Sequence, residues 1–73
     1  MNNFTCEIKR HIGVLSEKGS GWKKELNLVS WNGNEPKWDI REWSEDHERM
    51  SRGITLKDEE AKALCELLGE VFC

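Results

Sequence analysis

The sequence predicts an α+β fold: four antiparallel strands followed by one C-terminal helix. Three observations carry the prediction. Apolar and polar residues alternate through much of residues 4–56, which is the period of a half-buried strand. Turn-forming clusters, SEKGSG (16–21) and NGNEP (32–36), interrupt that alternation at short intervals. From Asp58 onward the apolar period changes to that of a helix.

The first strand is expected over Phe4 to Ser16, with Phe4, Cys6 and Ile8 on one face and Thr5, Glu7 and Lys9 on the other. Gly13 interrupts it and suggests a bend or bulge. The second runs from Trp22 to Trp31. Here Trp22, Leu26 and Leu28 share a face, and Lys23, Glu25, Asn27, Val29 and Trp31 share the opposite one. The Asn32-Gly33 pair is a strong turn signal. Lys37 to Trp43 forms the third strand, with Trp38 and Ile40 pointing one way and Lys37, Asp39, Arg41 and Trp43 the other. Ser44 to Ser51 reads as a polar loop, and Arg52 to Leu56 as a brief fourth strand. In the helix, Ala61, Leu64, Cys65, Leu68 and Val71 fall on one apolar stripe. Asp58, Glu59 and Glu60 occupy its first turn, where negative charge complements the helix dipole.

A chain of 73 residues makes a single domain, 1–73, with a modest core, so association with a second copy is a natural supplement. No apolar run is long enough to cross a membrane, and the N-terminus lacks the pattern of a signal peptide. A cytoplasmic location, with association with the nucleoid as an option, is the default expectation. The three cysteines, Cys6, Cys65 and Cys73, share no metal-ligand spacing, and reduced thiols are expected. Neither a cofactor nor a metal is expected.

The net charge of −3 argues at first against a nucleic-acid partner. Its distribution weakens that objection. Residues 58–73 hold Asp58, Glu59, Glu60, Glu66 and Glu70 against Lys62, a balance of −4, while residues 1–57 hold ten bases against nine acids, or +1. The acidity therefore belongs to the helix, and the strands are free to present a local basic patch.

One helix covers only part of one sheet face, so the other must be solvated, bound to a ligand or buried in an oligomer. That face gathers Lys23, Trp31, Lys37, Arg41 and Trp43. Taken singly, strand cations are ordinary solubilising groups and tryptophans are ordinary core. Core is the expected role of Trp38 and of most of Trp22, whereas parity favours exposure for Trp31 and Trp43. As a set, cations interleaved with rings suit single-stranded nucleic acid. Phosphates meet the charges, and unpaired bases stack on the rings for roughly 1–3 kcal/mol each.

These residues also carry a resemblance. WDIREW (38–43), then a polar loop, then RGITL (52–56) and an acidic-capped helix resemble the single-stranded-DNA-binding transcriptional coactivator family, positive cofactor four. The stretches HIGVLS, GWKKELNLVSWNG and DHERMSRGITL are similar to its compact bacterial branch, the YdbC-like proteins. The resemblance spans roughly residues 7–68 and implies a β-β-β-β-α homodimer. Its helices would pack across the twofold through Ala61, Leu64, Cys65 and Leu68, and its curved sheets would form grooves for single-stranded DNA. It carries the binding role onto Lys23, Arg41 and Trp43, and onto the pair Arg52 and Gly53.

Three departures stand out. The NGNEP hairpin has Glu35 where the eukaryotic pattern has a cation, and Trp31 is placed to supply the ring instead. Lys57 occupies the usual capping position, with Thr55 as the alternative cap. The Ser-rich regulatory arm of the eukaryotic proteins is absent, so the resemblance implies no control by phosphorylation.

An enzyme would need converging reactive groups, and His11, His47 and scattered carboxylates offer no such set. EDHE (45–48) reads as a solvated loop rather than a metal site. The serious alternative to nucleic-acid binding is a protein-interaction module docking through the striped helix. DNA versus RNA stays open at this stage.

Overall fold

The computed structural model describes residues 5–72, and Phe4 and Cys73 lie outside the described residues. The elements follow the expected order: β1 (Cys6–Glu17), β2 (Lys23–Trp31), β3 (Lys37–Trp43), β4 (Met50–Leu56) and α1 (Asp58–Phe72). The four strands form one antiparallel sheet in sequence order, each connected to the next by a short loop.

The loops use the turn chemistry of the sequence. Asn32 and Gly33 both adopt positive φ, 53° and 74°, as a type I′ turn requires. Asn34 N–H closes the turn on the Trp31 carbonyl at 2.9 Å. Asn32 also ties the turn to the start of β1: its N–H donates to the Thr5 carbonyl, and its Oδ1 accepts from the Thr5 N–H, both at 2.8 Å.

The pairing of β1 with β2 slips three times, between Ile8 and Arg10, His11 and Gly13, and Val14 and Ser16. Only the second was expected, at Gly13. Each irregularity adds local twist and bends the strand. Repeated along one edge, they curl the sheet toward the face that carries Trp43. Cys6 on β1 and Met50 on β4 consequently line one pocket together with Trp43.

This curl inverts the expected burial. Trp38 and Ile40 lie on the convex, helix-side face and are only half-buried. On the concave face Asn27, Val29 and Asp39 are fully buried, and Glu25 and Trp43 nearly so. The only buried apolar side chains among the described residues are Val29 and Trp43.

Helix α1 stands off the sheet. Its start is anchored by the Trp38 indole N–H, which donates to Asp58 Oδ1 at 2.7 Å. Lys57 is the N-cap, and half a capping box compensates for its side chain, since Glu60 Oε1 accepts the Lys57 N–H at 2.9 Å. Thr55 does not cap, because its hydroxyl donates to Asp39 Oδ2 at 3.2 Å. No helix residue is buried, and Phe72 is 80% exposed. An apolar groove of about 630 Å3 stays open between Leu26, Ile40 and Leu56 on the sheet and Leu64, Leu68 and Phe72 on the helix.

Candidate nucleic-acid interface

Cross-strand register sets out the concave face. Lys23 lies opposite Trp43, Glu25 opposite Arg41, Asn27 opposite Asp39 and Val29 opposite Lys37. On the far side Arg41 faces Gly53. Lys23, Lys37, Arg41 and Trp43 are therefore gathered on one surface, as the alternation predicts, and Gly53 joins them from β4. Their exposure differs from the prediction.

Arg41 is locked rather than free. Its Nε and Nη2 donate to the two oxygens of Asp39 at 2.6 and 2.8 Å, and Nη1 donates to the Ser51 carbonyl at 3.2 Å. The guanidinium lies 4.5 Å from the centre of the Trp31 ring, a cation–π contact. Asp39 is wholly removed from solvent, so the pair is a buried fixture of the sheet. Gly53 makes room for it. A Cβ there would clash with Arg41 Cβ and the Ile40 carbonyl.

Trp43 is 5% exposed, which overturns the expectation of an open ring. The curled β1 closes over it at Cys6 and Ile8, and the His47 ring lies 5.6 Å away at a 35° tilt. Strand parity predicts which face a side chain takes, but not whether the sheet bends over that face. Trp31 is half-buried under Arg41. Of the candidate cations, Lys37 and Arg52 reach solvent, and Lys23 is half-buried. None of these three makes an ion pair among the described residues.

The face also contains a cluster that sequence reasoning missed. Glu25 is buried and accepts from His47 Nε2 at 3.0 and 3.2 Å. Asn27 Nδ2 donates to the same carboxylate at 3.1 Å, and Asn27 Oδ1 meets His11 Nδ1 at 2.7 Å. The loop that brings His47 there is tightly built. Ser44 N–H bonds the Arg49 carbonyl, Ser44 Oγ accepts from Arg49 N–H and donates to Asp46, and His47 itself sits at φ 60°. EDHE is exposed, as a solvated loop should be, and is also ordered into a clasp. Parity does place Glu25 and Asn27 on this face; nothing local signals that His47 reaches back to them.

Two groups have shifted acidities. Burial raises the Cys6 thiol, with the positive charge of Arg41 opposing. Asp46 is lowered by the Glu48 N–H and by the Ser44 hydroxyl.

The chain is 44% identical over 70 residues to an uncharacterized protein of Treponema pallidum (strain Nichols), a match spanning 96% of this chain and 82% of that one. Residues 18–67 match the family described as Transcriptional Coactivator p15 (PC4), an interval that runs from the β1–β2 turn into α1 and includes the β2–β3 face, the clasp and the Arg52-Gly53 pair. With four antiparallel strands in a curved open sheet and one C-terminal helix, the chain belongs to the p15 (PC4) transcriptional coactivator family.

Proposed function

We propose that this protein binds single-stranded DNA along the concave face of its sheet, with little sequence preference, as a homodimer. It acts by binding rather than by catalysis, in the cytoplasm or at the nucleoid, serving transcription or the replication and repair of DNA. The observation that carries the reading is the pair of unpaired cations Lys23 and Lys37 on a ring-bearing face, with Arg52 exposed on the adjoining β4, in a chain of this family. Phosphates are held by those cations, and Trp31 contributes ring surface at the groove. Arg41, Trp43 and Gly53 act from beneath, fixing the shape of the face.

The dimer is supported by the open groove under α1. Two buried apolar residues among the described ones make a very small core, and Leu15, Leu64, Leu68 and Phe72 stay exposed around the groove. A second copy supplies a complementary apolar stripe at equal concentration. It also doubles the basic surface, which offsets the net charge locally.

The test is fluorescence anisotropy of a labelled dT oligonucleotide at low and near-physiological salt, with duplex and RNA competitors. Binding should weaken steeply with salt, and Lys37→Ala or Arg52→Ala should each reduce the salt slope by about one. Absence of binding at low salt defeats the reading and leaves the helix, docking on another protein, as the functional surface.

A further inference from the structure

The concave face holds a cleft of about 340 Å3 lined by Ile8, His11, Val14, Lys23, Glu25 and His47. The side chains of His11 and His47 are 52% and 44% exposed, while that of Glu25, on which both converge, is 3% exposed. Both rings are held by one nitrogen. Asn27 turns its NH2 to Glu25, so its Oδ1 can only accept, and His11 Nδ1 is the donor to it. His47 Nε2 donates to the Glu25 carboxylate. Those two nitrogens are therefore protonated and are not metal donors, and no three such groups among the described residues are placed to hold a metal.

We propose that this cleft takes one nucleobase of a bound single strand, stacked on the His47 ring with His11 beside it and the adjoining phosphate at Lys23. The proposal rests on the single-strand reading above. Imidazole is one of the flat rings on which unstacked bases settle. His47 suits the role because little of its freedom remains to be lost. Its backbone is held at φ 60° by the 44–49 loop, Glu25 fixes its edge, and Trp43 supports it from within. Ile8 and Val14 supply apolar walls, and Lys23 supplies the cation. The ring that parity assigned to stacking, Trp43, thus becomes the support for the ring that stacks.

Three full-length variants test this by oligonucleotide anisotropy at fixed salt and pH. His47→Gln keeps a donor for Glu25 but removes the ring, and affinity should fall about tenfold, within the range for one stacked base. His11→Gln should fall by a smaller factor. His47→Phe restores the ring without the Glu25 bond and should stay within about threefold of wild type, since stacking is what matters here. Wild-type protein with an oligonucleotide made abasic throughout should lose at least as much as His47→Gln does, since it forfeits every stacked base, a comparison that needs no variant to fold. Wild-type affinity in His47→Gln, or equal losses in His47→Gln and His47→Phe, overturns the stacking role and leaves the single-strand reading standing. Failure of the wild type to bind any single strand removes that broader reading, and this one with it.

Discussion

Arg41 and Asp39 lie two residues apart on the same strand, and their side chains meet in a two-pronged bond, Nε to Oδ1 at 2.6 Å and Nη2 to Oδ2 at 2.8 Å. Because Asp39 has no contact with solvent, the pair cannot be treated as two independent surface charges. Arg41→Ala leaves the carboxylate with only the Thr55 hydroxyl at 3.2 Å. Breaking one partner of a buried pair costs about 3–5 kcal/mol. Urea denaturation of Arg41→Ala should therefore show a large loss of stability, whatever happens to DNA affinity. A variant as stable as wild type would return Arg41 to the set of free phosphate-binding cations.

Gly53 is tested from the opposite strand. It pairs with Arg41, and any Cβ at this position meets Arg41 Cβ and the Ile40 carbonyl. The backbone carbonyl cannot swing aside as a flexible side chain would. Gly53→Ala should lose about 1–3 kcal/mol, the usual range for overpacking, as measured by urea denaturation. Arg41→Ala keeps the Cβ of residue 41 and the Ile40 carbonyl, so most of the loss should persist in that background, and the double-mutant cycle isolates the smaller part due to the guanidinium.

The clasp loop predicts an acid response. The Asp46 carboxylate is held below its ordinary value of 3.8, first by the Glu48 N–H and then by the Ser44 hydroxyl. A folded-state pKa below the unfolded one gives stability that is fully present above the unfolded value and is lost as pH falls through the folded one. Wild-type protein should thus lose this contribution only below about pH 4, the ordinary aspartate range. Asp46→Asn should remove that part of the pH dependence. Stability against pH, followed by tryptophan fluorescence for both proteins, provides the check, and identical acid limbs would contradict it.

The element order was legible because each element has a distinct period or breaker. Alternation marks β2 and β3, Asn32-Gly33 marks their turn, and the stripe from Ala61 marks α1. Gly13 even announced one of the irregularities in β1. Curvature was not legible, because two of the three slips fall where no glycine or proline stands, between Ile8 and Arg10 and between Val14 and Ser16. Without the curl, alternation sorts side chains by face and says nothing about enclosure. That is why Lys37 was placed well and Trp43 was placed on the right face with the wrong exposure. The Glu25–His47 contact joins residues 22 positions apart, and it depends on a left-handed backbone at His47 that histidine does not announce.

The last prediction concerns the groove under α1. Leu68 faces it and is 46% exposed in the single chain, and Leu64 and Phe72 extend the same wall. If a second copy fills the groove, Leu68→Glu places a charge in a desolvated apolar interface, and such a charge is tolerated only where it is paired. Sedimentation velocity should then show a wild-type dimer of two 8.5 kDa chains and a Leu68→Glu monomer. The monomer should also bind DNA with a shallower salt dependence, because one set of Lys23, Lys37 and Arg52 replaces two. A charge reversal on the solvent side of the helix is the control: Glu66→Lys lies off the stripe and should leave the dimer intact. A wild-type chain that sediments as a monomer at micromolar concentration would mean that the groove is covered by something other than its own copy.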